Sequence, residues 1–177
     1  MNTYIILLRG VMPSGKNSIP KMAYLREILE KGGFANVKTY IQSGNIVLQT
    51  ELSPVEVSGK VHQLIKENIG AELPVIVKTA DEMRQVLNEN PFSENHDIKR
   101  VFFTLFNDEL PQPLAKELKM QDFGEEKFDF TDKAMYLYIP TDASRSKLSN
   151  NFLEKKLNIT ATTRNFNTLS KLVALAM

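Results

Sequence analysis

Three clusters of polar and charged residues in this sequence have the makings of a binding site. The first is Gly10-Val11-Met12-Pro13-Ser14-Gly15-Lys16-Asn17, which matches the spacing of a phosphate-binding P-loop through its lysine and follows an apolar run, Tyr4 to Leu8. A P-loop cradles phosphates on backbone N–H groups and holds magnesium through a Ser or Thr after the lysine. Here Asn17 stands in that place, and Pro20 disfavours helical geometry at Ile19, where a P-loop helix should already be running. What stays open is a glycine-containing loop whose N–H groups, with Arg9, Lys16 and Asn17, hold some other anion. The plainer alternative is a connection shaped by Gly and Pro.

The second cluster is Thr162-Thr163-Arg164-Asn165, just ahead of a helical pattern. A helix N-terminus offers free N–H groups and a positive dipole end, and Arg164 adds a fork of donors suited to phosphate or carboxylate. Simple capping by Asn165, with Arg164 at the surface, explains the same residues. The third cluster is Tyr40-Ile41-Gln42-Ser43-Gly44-Asn45, where Tyr40, Ser43 and Asn45 bring polar groups to one hairpin tip. Turn geometry alone accounts for its glycine, and Ser43 has no base nearby in sequence to make it a nucleophile.

The expected ligand-binding set is therefore Arg9, Lys16, Asn17, Tyr40, Ser43, Asn45, Arg164 and Asn165. Arg9, Lys16 and Arg164 supply charge, provided that the first-half loops and the last helix converge. No catalytic residues are assigned, because no nucleophile–base pair stands out, and whether the chain is an enzyme stays open. His62 and His96 are the only histidines, and neither has a ligand-type neighbour at metal spacing. Neither a metal site nor a Ser-His-Asp triad is expected, and no cofactor is expected.

The elements that must position these residues run through one pattern twice. Residues 1–79 read strand, helix, strand, tight turn, strand, helix, strand, and residues 98–157 repeat the first five elements. This βαββαβ order predicts an α+β chain of tandem ferredoxin-like plaits with antiparallel sheets and an extra C-terminal helix, divided as 1–90 and 91–177. The predicted strands are 4–8, 37–41, 46–48, 74–78, 100–106, 127–130, 134–139 and a short one at 159–163. Ser53-Pro54 opens the second helix, Thr79 or Asp81 caps a third, and Gly32-Gly33 ends the first. Leu114 and Leu118 are expected on the buried face of a helix over 111–120, and a further helix is expected over 146–157. Tyr4–Leu8 and Val101–Phe106 do not alternate apolar with polar, so both faces of these strands want burial. That disfavours an open sheet displaying aromatics to single-stranded RNA.

Composition narrows the function classes. The chain has 177 residues, a globular balance of 42% apolar and 24% charged, and no cysteine, so no disulfide or thiolate chemistry operates. The N-terminus lacks the pattern of a signal peptide and no stretch is long enough to cross a bilayer, so a cytoplasmic protein without a membrane partner is expected. Net charge is +1, which argues against a generic nucleic-acid binder. The charge is uneven, however: residues 1–50 and 140–177 each carry six basic and two acidic side chains, while 51–139 carry ten and seventeen. Three functions remain open. They are binding of a small anion such as a phosphorylated metabolite or nucleotide, nucleic-acid binding through the cationic ends, and a protein-interaction module, such as a homo-oligomer.

The segments also resemble a known family. Leu7-Leu8-Arg9-Gly10, Gly15-Lys16-Asn17, Gly33-Phe34 and the run Val37 to Val47 are similar to the opening of the bacterial domain-of-unknown-function family 1697. Asn90-Pro91-Phe92, Thr162 to Thr168 and Lys171-Leu172 resemble its later motifs. Where the family's first loop often reads Ile-Asn-Val-Gly-Gly-Lys-Asn, this chain has Val11-Met12-Pro13-Ser14-Gly15-Lys16-Asn17. The resemblance implies the plait-like fold, a bacterial cytosolic setting and no recognised cofactor. It brings no reaction with it.

Overall fold

A computed structural model describes all 177 residues, which group into two compact units. Met1–Met83 with Ser170–Met177 form the first and Arg84–Leu169 the second. The sequence reading divides the chain at 90/91; here the chain passes between units within one helix and returns within the last.

The first unit holds β1 (Asn2–Leu8), α1 (Met22–Lys31), β2 (Ala35–Tyr40), β3 (Asn45–Thr50), α2 (Pro54–Ile69) and β4 (Val75–Thr79). Its antiparallel sheet has the order β2-β3-β1-β4, the strand order of a ferredoxin-like plait. Alternate residues Tyr4, Ile6 and Leu8 of β1 pack with Leu25 and Leu29 of α1 and with Val57, Val61 and Ile65 of α2. The intervening Ile5 and Leu7 are equally buried, as the unbroken apolar run predicts. α1 begins at Met22 after Lys21, which offers no side-chain cap. It ends as expected: Gly33, at φ 102°, donates to Glu30 O, and Phe34 N–H donates to Leu29 O. α2 opens on a reciprocal capping box, the Glu56 N–H donating to Ser53 Oγ and the Ser53 N–H to the Glu56 carboxylate.

α3 (Ala80–Asn88) leads into the second unit, and Thr79 rather than Asp81 caps it, exchanging hydrogen bonds with Glu82. There follow β5 (Val101–Phe106), α4 (Gln112–Met120), β6 (Lys127–Phe130), β7 (Met135–Tyr138), α5 (Asn150–Leu157), β8 (Ala161–Asn165) and α6 (Phe166–Leu175). The sheet order β6-β7-β5-β8 repeats that of the first unit, so the chain is a tandem of ferredoxin-like units with a C-terminal helix. Three local expectations are corrected. The inward position of α4 is Ala115 with Leu118, while Leu114 is exposed. α5 starts at its Ser149 cap, because Ser146 and Lys147 are held outside the helix by the Glu126 carboxylate. β8 lies two residues later than predicted, its register set by pairing Ala161–Asn165 with Phe106–Phe102 of β5.

The capping box gives a direct test of this local logic. Ser53→Ala removes the side-chain acceptor at the start of α2 and is expected to cost about 1 kcal/mol in urea unfolding.

Candidate functional site

β1 ends at Leu8 between β3 and β4, so three segments gather at that end of the first sheet. They are the loop of residues 9–21, the turn of residues 41–44 between β2 and β3, and the approach to β4 through Glu72, Leu73 and Pro74. The loop is braced internally. Met12 N–H donates to Asn17 O at 2.8 Å, Ser18 Oγ donates to Gly15 O at 2.7 Å, and Gly10 and Gly15 take left-handed φ of 84° and 88°. No P-loop forms, because the helix begins only at Met22 and the strand beside it runs antiparallel.

The turn side is fastened by the Leu8 N–H donating to Gly44 O at 2.9 Å and by Gln42 Nε2 donating to Ile19 O at 2.7 Å. Asn45 is fully buried, and its amide nitrogen donates to Tyr40 O at 3.0 Å and Ser43 Oγ at 2.8 Å. Both amide hydrogens are spent on shaping the turn, while Ser43 is exposed and Tyr40 half-buried. Gly44 sits at φ 83°, and a Cβ there would lie 2.7 Å from Leu8 Cβ and 2.9 Å from Val11 Cγ2. Ile41 is not the strand residue expected. It occupies the turn at φ 51°, a conformation strained for a β-branched side chain, and is 52% exposed.

The β4 side gathers charge. The backbone N–H of Arg9 donates to Pro74 O at 3.0 Å and Asn17 Oδ1 accepts from the backbone N–H of Glu72 at 3.0 Å. Lys16 Nζ lies 3.6 Å from one Glu72 carboxylate oxygen and Lys66 Nζ 3.0 Å from the other. Lys66 first, then Lys16, holds the Glu72 carboxyl below its ordinary range. From the same face of α2, His62 Nδ1 lies 3.0 Å from Leu73 O and Ser58 Oγ donates to Val75 O at 3.2 Å. A carbonyl only accepts, so Nδ1 carries a hydrogen, which leaves Nε2 of the neutral ring as an acceptor. No buried side-chain nitrogen or oxygen lacks a partner, which places His62 Nε2 in reach of solvent.

Arg9, Lys16 and Asn17 thus share one end of the first unit with Tyr40, Ser43 and Asn45. Arg164 and Asn165 belong to the second unit. Arg164 is half-buried, and its Nη1 donates to Thr162 Oγ1 at 2.6 Å and Thr163 O at 3.1 Å. Burial lowers its guanidinium to about 10. Asn165 Oδ1 accepts from the Thr168 N–H at 2.9 Å, the capping role that its position predicted. The sequence reading missed Glu72 and Lys66, and it treated His62 only as a non-ligand for metal. The spacing of Ser58, His62 and Lys66 along one helix face was the signal available.

A model of the family described as "Protein of unknown function (DUF1697)" matches residues 1–136, and the chain belongs to that family. Among solved structures the chain is similar to the conserved bacterial protein SP0830 from Streptococcus pneumoniae. The two share 21% identity and a TM-score of 0.76, over 99% of this chain and 98% of that one, a likeness of fold. No curated protein is significantly similar to the chain.

Two outcomes follow from the geometry. Gly44→Ala meets both an unfavourable φ and a close approach to Leu8 and Val11, and is expected to destabilise by more than about 1 kcal/mol in denaturant unfolding. Glu72 is depressed in the fold, so its contribution is present above the unfolded carboxylate value and is lost as pH falls through the folded one. A carboxylate-resolved NMR titration should place its midpoint below the ordinary value, and Lys66→Ala should move that midpoint up.

Proposed function

We propose that this family member binds a small anionic ligand, a phosphorylated metabolite or nucleotide, at the loop end of its first unit. The observation that carries the reading is the convergence of cations from separate elements on one short segment. Lys16 from the loop and Lys66 from α2 meet at Glu72, the carboxylate they share, while the backbone N–H of Arg9, at the end of β1, donates to the neighbouring Pro74 O. Residues 1–26 and 31–50, which build the loop and the turn, contain no carboxylate side chain. The bracing of the loop lowers the ordering cost that binding would otherwise carry. Asn17 and Ser43 flank the charged groups as hydrogen-bonding residues, and Asn45 and Tyr40 support the turn. A bacterial cytoplasmic setting, with its phosphorylated metabolites, suits such a site and a chain without cysteine. Arg164 is a second cationic position, in the other unit.

The exposure of strained Ile41 and of Met12, 54% exposed, favours a second reading in which the same tip docks against a protein partner. A thermal-shift screen separates the two. Phosphate, nucleotides, sugar phosphates and carboxylates are offered to the wild type and to Arg9→Ala. Ligand at about 100 times its dissociation constant should stabilise by roughly 2.7 kcal/mol. Stabilisation by phosphorylated compounds that weakens in Arg9→Ala is the expected result. A flat response across the whole panel overturns the small-anion reading and turns attention to a macromolecular partner.

A further inference from the structure

We propose that the Glu72 carboxylate is a resident stand-in for the ligand, and that Lys16, Lys66 and His62 Nε2 together form a clamp selective for a phosphoryl dianion over a monocarboxylate. The inference rests on the anion reading of the same loop end and names its substrate class. Lys16 comes from the loop and Lys66 from α2, yet they take opposite oxygens of one carboxylate, at 3.6 and 3.0 Å. Such a two-sided grip is what an oxyanion with oxygens to spare for both would receive. Glu72 is exposed and its side chain is held only by these two lysines, so it can swing out while its backbone stays fastened through Asn17.

His62 stands one helical turn before Lys66, with Nδ1–H fixed on Leu73 O and Nε2 open to solvent. Fixing one ring nitrogen on a backbone carbonyl orients the other, the arrangement in which an imidazole meets a ligand rather than merely filling space. A protonated Nε2 donates to a phosphoryl oxygen, and a neutral one accepts from a monoprotonated phosphate.

Selectivity follows from tethering. A group held on a short piece of chain competes at an effective concentration in the millimolar range. An incoming monocarboxylate only exchanges like for like against that tethered competitor and gains little. A dianion brings a second charge and a third oxygen, enough to reach both lysines and His62 together.

Isothermal calorimetry with inorganic phosphate and with acetate tests the clamp. The wild type should bind phosphate at least roughly tenfold more tightly than acetate, a difference that corresponds to about 1.4 kcal/mol. Glu72→Gln, which removes the competitor's charge and keeps its shape, should tighten phosphate binding roughly fivefold, and Lys66→Ala should weaken it by a similar factor. Phosphate binding by the wild type that Glu72→Gln leaves unchanged overturns the stand-in while the anion reading survives. Equal affinity for acetate and phosphate overturns the dianion selectivity. Failure of wild type and variant alike to bind phosphate overturns the clamp and the anion reading together. Should Glu72→Gln fail to fold by circular dichroism, Lys66→Ala decides, and undiminished phosphate binding there overturns the clamp.

Discussion

The pinning of residues 72–75 is the constraint on which this end of the protein depends. Four hydrogen bonds reach the segment, from Arg9, Asn17, Ser58 and His62, and two lysines hold its one carboxylate. The segment is the approach to an edge strand, with only β1 beside it, so without these ties its backbone would be fastened along one side alone. The ties come from a loop and a helix far apart in sequence. Through the 72–75 segment they join the residues following β1 to α2. The same bracing that stabilises the sheet end therefore shapes the surface proposed above for an anion.

Opposite that segment, the turn after β2 meets the loop by a different device. Asn45 spends its amide inside the turn, Gly44 lets the backbone close on Leu8 and Val11, and Ile41 is left strained and exposed at the tip. Conformational strain at an exposed apolar residue is stored where the surroundings hold it, and here the buried Asn45 and the missing Cβ of Gly44 do the holding. Asn45 and Gly44 are thus positioning residues. Lys16 and Ser43 are exposed beside them and Arg9 is half-buried.

Much of the fold was legible because it is written in local patterns. Apolar runs marked β1 and β5, Ser53-Pro54 and Thr79 marked helix starts, and Gly32-Gly33 marked a helix end. What escaped the sequence reading is decided by partners distant in the chain. Ser146 and Ser149 are both plausible caps until Glu126 takes the first and leaves the helix to the second. β8 takes its position from β5, about sixty residues earlier, as loose local preference yields to pairing. The site was half legible for the same reason. The loop's Gly, Lys and Asn were readable as anion-binding chemistry, yet Lys16 and Asn17 meet Glu72 across 56 and 55 residues, and no local pattern announces that pairing. Ser58, His62 and Lys66 were readable as one face of a helix, but not what that face addresses.

The central claim is that the loop end of the first unit is a preformed anion site. It is tested most directly by a residue-resolved NMR titration of the full-length protein with inorganic phosphate. Saturable shifts concentrated at Arg9, Lys16, Asn17, His62, Lys66 and Glu72 are the result the account predicts. Shifts scattered over surface lysines without saturation, or confined to the Arg164 region with these residues silent, would contradict it.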